Sequence, residues 1–133
     1  MRYMLDTNIC IYIAKQKPLQ VLSRFQQLSR GEVGMSVVTF GELHFGAQKS
    51  SRLQEAVRNL DVLMEDIPVL AIEPGAGAHY GRLRFHLERQ GKPIGTNDLW
   101  IASHCLDLGL TLVTNNEREF ERIPDLTIEN WTN

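Results

Sequence analysis

Apolar residues fall into two rhythms along this chain. Short runs at Tyr3-Met4-Leu5, Met35-Ser36-Val37-Val38, Ile67-Pro68-Val69-Leu70-Ala71-Ile72, Leu110-Thr111-Leu112-Val113 and Leu126-Thr127-Ile128-Glu129 read as strands. Between them lie longer stretches with helical spacing. Ile9 to Ala14 reads as a first buried helix, and Val21, Leu22, Phe25 and Leu28 predict an amphipathic helix over 19–30 opened by Pro18. Thr39 is the expected N-cap of a helix over 40–48, with Glu42 at the spacing of a capping box. Leu53, Val57, Leu60 and Met64 share one face of a helix running from Ser50 to about Met64. Pro74 opens a long helix through Gln90, ended by Gly91 and Pro93, and a further helix over 96–108 is closed by Gly109. Glu117 to Phe120 forms a short helical turn. Strands alternating with helices imply an α/β fold with a mainly parallel sheet covered by helices.

Length and composition narrow this picture. At 133 residues with 43% hydrophobic and 23% charged side chains, the chain suits one globular domain over 1–133 that needs no disulfide or metal staple. Cys10 and Cys105 both lie in apolar helical patterns, which predicts buried free thiols in a reducing compartment. No apolar run approaches the ~18 residues of a membrane span, and Asp6 interrupts the start before a secretory apolar region can form. The expectation is a cytoplasmic domain. A net charge of −2 carries no global signal for nucleic acid, so any basic surface is local. Lys15, Lys17, Arg24 and Arg30 form one basic group and Lys49, Arg52 and Arg58 a second; Arg82, Arg84, Arg89 and Lys92 form a third, the candidate RNA-binding group. Ordinary solvated helix faces explain such groups equally well.

The acids carry the chemical signal. Asp6 ends the first strand, Asp98 opens the helix after Gly95, and Thr114-Asn115-Asn116 ends the strand before Glu117 and Glu119. Glu42 adds a position on a largely apolar helix. Each has a bland reading: a helix cap for Asp6, a helix-dipole partner for Asp98, a capping-box partner for Glu42, turn formers for the two asparagines. Parallel topology, however, brings the carboxyl ends of strands to one edge. Two unit charges ~4 Å apart at an effective dielectric near 20 cost about 4 kcal/mol, so such a cluster demands a counter-charge. No Lys or Arg adjoins Asp6, Glu42 or Asp98 in sequence, and all-oxygen donors select hard ions, which points to Mg²⁺ or Mn²⁺. Zinc is disfavoured, because His44, His79, His86 and His104 are scattered and neither cysteine has a close partner. No Ser-His-Asp order or phosphate-cradling glycine loop stands out, and Gly75-Ala76-Gly77 is weak evidence for nucleotide binding. A carboxylate-held divalent ion suits hydrolysis of a phosphodiester.

Leu5-Asp6-Thr7-Asn8, the helix-borne Glu42, Gly95-Thr96-Asn97-Asp98-Leu99-Trp100-Ile101-Ala102 and Leu112-Val113-Thr114-Asn115-Asn116, taken in order, resemble the PIN domain. More narrowly the chain resembles the VapC toxins of VapBC toxin–antitoxin pairs, with the end from Glu119-Phe120 through Trp131 in agreement. The resemblance implies a three-layer α/β/α domain and a Mg²⁺- or Mn²⁺-dependent endoribonuclease. It also implies a homodimer held in a larger assembly by a cognate VapB-type antitoxin. The family's acids fall on Asp6, Glu42 and Asp98, and its supporting polar positions on Thr7, Asn8 and Thr114. Where many PIN domains carry a fourth Asp, this chain has Asn116, and Glu119 three residues on is the candidate to supply that charge as a metal ligand. Members of similar appearance cleave initiator tRNA in the anticodon loop, which suggests tRNA as the substrate.

Three other readings compete. A phosphoaspartate enzyme of the haloacid dehalogenase type wants a second Asp where Asn8 stands. A receiver domain wants a Lys after a late strand, where Asn115 and Asn116 stand. A non-catalytic PIN-like domain that only binds RNA or a partner is compatible with the missing fourth Asp, while retention of three acids opposes it.

Overall fold

The computed structural model describes residues 1–133. The elements are, in order, β1 (Tyr3–Leu5), α1 (Thr7–Lys15), α2 (Leu19–Gln26), β2 (Val33–Ser36), α3 (Val37–Gln48), α4 (Leu53–Asp66), β3 (Val69–Leu70), α5 (Pro74–Arg89), α6 (Thr96–Leu108), β4 (Thr111–Val113), α7 (Glu117–Phe120) and β5 (Ile128–Glu129). The five strands form one sheet in the order β3-β2-β1-β4-β5, and every pairing is parallel. In register, Met4 lies between Gly34 and Leu112, and Leu5 lies beside Val113.

β1 is central and buried on both faces, so its side chains alternate between two cores. Tyr3 and Leu5 join Ile9, Cys10, Ile13, Val21, Val33, Met35 and Trp131 on one side. Met4 joins Leu83, Leu87, Leu99, Ile101, Ala102, Leu112 and Phe120 on the other. The second core is the layer formed by the α5–α6 hairpin and α7; the first lies under α1, α2 and α4. The C-terminal end is fastened to the first layer. Trp131 meets Tyr3 edge-to-face at 5.5 Å, and Arg24 pairs with Glu129 at 3.1 Å.

The helices form nearly where their apolar spacing predicts, with instructive exceptions. α2 stops at Gln26, four residues earlier than the pattern suggests, and Pro18 precedes the helix as its cap residue. The second strand begins earlier and gives way sooner, so that Val37 and Val38 are already helical. The expected capping box is therefore wrong. Ser36 caps α3 by accepting from the Val38 N–H at 3.1 Å, and Thr39 is a buried residue inside the helix. The strand expected over 67–72 shrinks to Val69–Leu70, with Ile67 buried just before it. Gly109 ends α6 in the left-handed conformation at φ 67°, as a helix-terminal glycine should. Gly75 has a packing reason of its own: the Asp107 carboxylate occupies the space a side chain would need. Both cysteines are buried free thiols, as the sequence leads one to expect, and burial pushes the Cys105 thiol up to about 12. No helix is long and apolar enough to cross a membrane.

One buried polar contact ties the layers together. His104 of α6 is fully buried; its Nε2 faces the Ala71 carbonyl at 3.0 Å and its Nδ1 faces Ser36 Oγ at 2.8 Å. A carbonyl only accepts, so Nε2 carries the proton and Nδ1 accepts from the Ser36 hydroxyl. Burial holds His104 below its ordinary value of 6.5. Between that lowered value and 6.5 the unfolded chain binds the additional proton, so the stability His104 contributes at neutral pH is lost as pH falls. Raised carboxylates have the opposite sign, so the comparison must be made against a variant. Urea midpoints measured from about pH 7.5 to about pH 5 should show the parent losing stability relative to His104→Gln. A difference between the two that is constant with pH contradicts this.

Candidate active site

The order β3-β2-β1-β4-β5 reverses direction at β1, which makes the carboxyl ends of β1 and β4 a topological switch point, the place where open parallel sheets bind ligands. Asp6 sits there directly after β1. It is 6% exposed and caps α1, accepting from the Ile9 N–H at 3.0 Å. The carboxylate that caps the helix thus also lies at the switch point. Burial pushes Asp6 above the ordinary range, hydrogen bonds from the Thr114 hydroxyl and the Ile9 and Asn8 N–H groups pull it down, and Glu42 pushes it up again. Thr114, at the end of β4, is itself fully buried.

Glu42 reaches the site from α3. Its Oε1 accepts from the Thr7 hydroxyl at 2.6 Å, and that hydroxyl also lies 3.4 Å from Thr39 Oγ1. The first turn of α1 thus holds the α3 acid. Asp98 lies in the first turn of α6 and is half-buried. Its carboxyl is pushed up to about 6, first by burial and then by the negative charges of Glu119, Glu42 and Asp6. The other three acids therefore all bear on Asp98. None of them enters an ion pair with Lys, Arg or His.

Glu119 is more tightly held than a solvated charge. Its Oε1 accepts from the Gly95 N–H at 3.0 Å and its Oε2 from the Asn116 side-chain amide at 3.0 Å. Asn116 in turn donates its N–H to Thr114 Oγ1 at 2.9 Å. Glu119 consequently clamps α7 to the residue before α6, beside Asp98. Asn8 is exposed at the cleft and contributes its backbone N–H to the field at Asp6.

The donor set is all oxygen and anionic, which suits a hard divalent cation. No three of these side chains converge closely enough to enclose an ion by themselves. A hard cation held by such a set would keep waters in part of its coordination shell.

The basic group over 82–92 divides when placed on α5. Arg84 is tied to Glu88 at 2.8 Å and to the Tyr80 hydroxyl at 2.9 Å. Arg82 contacts only His79, at 3.0 Å, and Arg89 lies over the exposed Phe85 ring. Lys92 follows the end of the helix. Arg82 and Arg89 are seven residues apart and share a face, whereas Arg84 points away from it.

Sequence pattern does not reveal the Asn115 amide donating to the Tyr12 hydroxyl at 2.8 Å, which locks the loop after β4 to α1. Nor does it reveal the Tyr80–Trp100 stack at 4.0 Å between α5 and α6, beside the arginines. Both join residues far apart in the chain, and no local spacing signals them.

A parallel α/β domain with acids gathered at its switch point is the architecture of the PIN class, and the PIN domain family matches residues 3–126. The chain belongs to that family. It is 44% identical to Ribonuclease VapC2 of Haemophilus influenzae over 131 residues, with 98% of each chain covered. It is 42% identical to the tRNA(fMet)-specific endonuclease VapC of Shigella flexneri, with 99% of each covered. The solved structure of VapBC-1 from nontypeable Haemophilus influenzae superimposes with a TM-score of 0.93 at 42% identity over the whole of both chains.

Asp98 generates a prediction in the absence of metal. A carboxyl raised to about 6 contributes stability that is present below its unfolded value and lost as pH rises through about 6. In chelator near pH 7.5, Asp98→Asn should be more stable than the parent by on the order of 1 kcal/mol, a figure already discounted for solvent screening of a half-exposed group. Thermal melts should show the advantage vanish near pH 4, where both side chains are neutral. Equal melting temperatures at pH 7.5 would count against the repulsive cluster.

Proposed function

We propose that this chain is a divalent-metal-dependent endoribonuclease that hydrolyses RNA phosphodiester bonds and serves as the toxin of a type II toxin–antitoxin pair. The observation that carries this reading is that Asp6, Glu42 and Glu119 all bear on the Asp98 carboxyl, with no cationic side chain paired to any of the four. Mg²⁺, with Mn²⁺ as a substitute, is the cofactor the donor set favours, and Asp6, Asp98 and Glu119 are its proposed ligands. A bound divalent ion supplies Lewis acidity to the attacking water and offsets charge on the scissile phosphate.

The protein's own groups do the rest. Asp6 is fixed in direction by the Ile9 N–H and the Thr114 hydroxyl, whose hydrogen bonds oppose the upward push of burial on its carboxyl. Asp98, raised to about 6, is mostly ionised at neutral pH, and arriving positive charge would hold it in that form more firmly. Glu42, oriented by Thr7, faces the same cleft and is placed to accept a proton from the attacking water. Asn116 acts through Glu119, so the fourth family position is shared between an amide and a carboxylate.

Several relatives bear the name ribonuclease, and that of Shigella flexneri is named for tRNA(fMet). On that likeness tRNA, the initiator species in its anticodon loop, is the proposed substrate. The partner proposed is a VapB-type antitoxin, consistent with the likeness to VapBC-1. A surface groove of about 280 Å³ between α1, α3 and α4, walled by Cys10, Ile11, Ala14, Leu43, Leu60 and Leu63, supports an apolar segment of that partner as occupant. A homodimer is proposed on the likeness to the VapC ribonucleases. The unpaired buried thiols favour the cytoplasm, with residues 1–133 working as one domain.

Asp6→Asn should fold, since Asn also caps helices, yet lose cleavage by at least about a hundredfold. Glu119→Gln should lower the rate and raise the Mn²⁺ concentration needed, with a smaller effect for Asn116→Ala. Titrating Mn²⁺ in a cleavage assay checks all three. A well-folded Asp6→Asn protein with near-normal cleavage would overturn the site, and parental metal dependence in Glu119→Gln would remove Glu119 from the ligand set.

Arg82, Arg89 and Lys92 are proposed to track RNA phosphates, with Arg84 the weakest member because Glu88 already neutralises it. Replacing Arg82 and Arg89 together by Ala should flatten the salt dependence of RNA affinity by roughly two in log–log slope and leave the cleavage position unchanged. Arg84→Ala should move that slope least. Unchanged RNA affinity with weakened antitoxin binding would assign the same arginines to the partner instead.

A further inference from the structure

We infer that the buried Ser36–His104–Ala71 bridge is a positioning device that sets the spacing of the Glu42 and Asp98 carboxylates. The inference rests on the proposed metal site and concerns residues outside it. Ser36 ends β2 and caps α3, the helix that carries Glu42. His104 belongs to α6, the helix that carries Asp98. The Ser36 hydroxyl accepts the Val38 N–H at 3.1 Å and donates to His104 Nδ1 at 2.8 Å, while His104 Nε2 donates to the Ala71 carbonyl at 3.0 Å just beyond β3. One imidazole thus joins the start of α3, the carboxyl ends of β2 and β3, and the middle of α6.

The other side chains through which α6 meets its layer are mostly apolar: Leu99, Ile101, Ala102 and Cys105 are all buried in the second core. Apolar packing resists separation and does little to fix register, because it has no directional component. Hydrogen bonds with both donor and acceptor assigned do fix it. Register matters here, since the negative charge of Glu42 on α3 bears on the Asp98 carboxyl of α6. Ser36 and His104 are each fully buried and the ring has both nitrogens engaged, so the bridge holds one geometry, with only its Ala71 end near solvent.

Direct Mn²⁺ binding by electron paramagnetic resonance, thermal melting, and kcat and KM for RNA cleavage test the inference on four purified proteins. His104→Gln keeps one donor and one acceptor and should bind Mn²⁺ within about twofold of the parent, whereas His104→Leu, of similar bulk without polar atoms, should bind it about tenfold more weakly. Its kcat should fall while KM stays within about twofold. Ser36→Gly keeps an acceptable helix cap but removes the hydroxyl, and should follow His104→Leu if the leucine variant does not fold. A folded His104→Leu or Ser36→Gly protein with parental Mn²⁺ affinity and kcat overturns the inference. Loss of folding in both, or equal impairment of His104→Gln, makes the bridge a stability element only and likewise overturns it. A parent protein that binds no Mn²⁺ overturns the metal-site reading itself, an outcome distinguishable because it appears before any substitution is made.

Discussion

Repulsion among carboxylates is the constraint around which this molecule is arranged. Asp6, Glu42, Asp98 and Glu119 come from four different parts of the chain, and burial together with the charges of the other three raises Asp98 to about 6. Left to itself such a cluster disperses, since each side chain can rotate toward water at little cost. Here rotation is opposed at three of the four by a specific donor: the Ile9 N–H at Asp6, the Thr7 hydroxyl at Glu42, and the Gly95 N–H and Asn116 amide at Glu119. Burial completes the restraint at Asp6 and Asp98. The unpaired charge that results is a standing attraction for a cation, and hydrophobic packing on both faces of the sheet offsets its cost.

Much of this organisation was legible in the chain. The strand-ending position of Asp6, the Gly95-Thr96-Asn97-Asp98 helix start and the 96–108 helix with its closing Gly109 follow from short-range pattern, because caps and glycine stops act locally. The parallel sheet follows from alternation of strands with helices. What escaped was decided by contacts distant in sequence. Thr39 has every local mark of a cap, yet Ser36 takes that role because its hydroxyl also serves His104, 68 residues away. Thr39 is thereby drawn inside the helix, where it lies against Thr7. Glu42 likewise answers to Thr7 across 35 residues rather than to its own helix start.

Short strands were the least legible elements for a related reason. Ile67-Pro68-Val69-Leu70-Ala71-Ile72 has the composition of a strand, but only Val69 and Leu70 pair with β2. The chain leaves the sheet at Ala71, whose carbonyl accepts a hydrogen bond from His104 Nε2 instead of continuing along the sheet edge. β5 is similarly limited to Ile128–Glu129, after which Glu129 turns to Arg24 and Trp131. In both cases side-chain chemistry at the edge of the sheet ends a strand that hydrophobicity alone would prolong.

Replacement of a fourth acid by Asn116 follows from the same electrostatics. An aspartate there would stand against Glu119 Oε2, where the amide now donates at 3.0 Å, and would turn an attraction into a repulsion. It would also enlarge the field that already raises Asp98. With an amide in place, Glu119 can hold Gly95 and face Asp98 at once, so a single carboxylate completes the cleft and steadies the start of α6. The cost is one negative charge fewer for a second cation, which shifts any such ion toward dependence on the phosphate of the bound RNA. A pocket built this way is economical in charge: it holds its acids apart with neutral donors and leaves the remaining neutralisation to what binds.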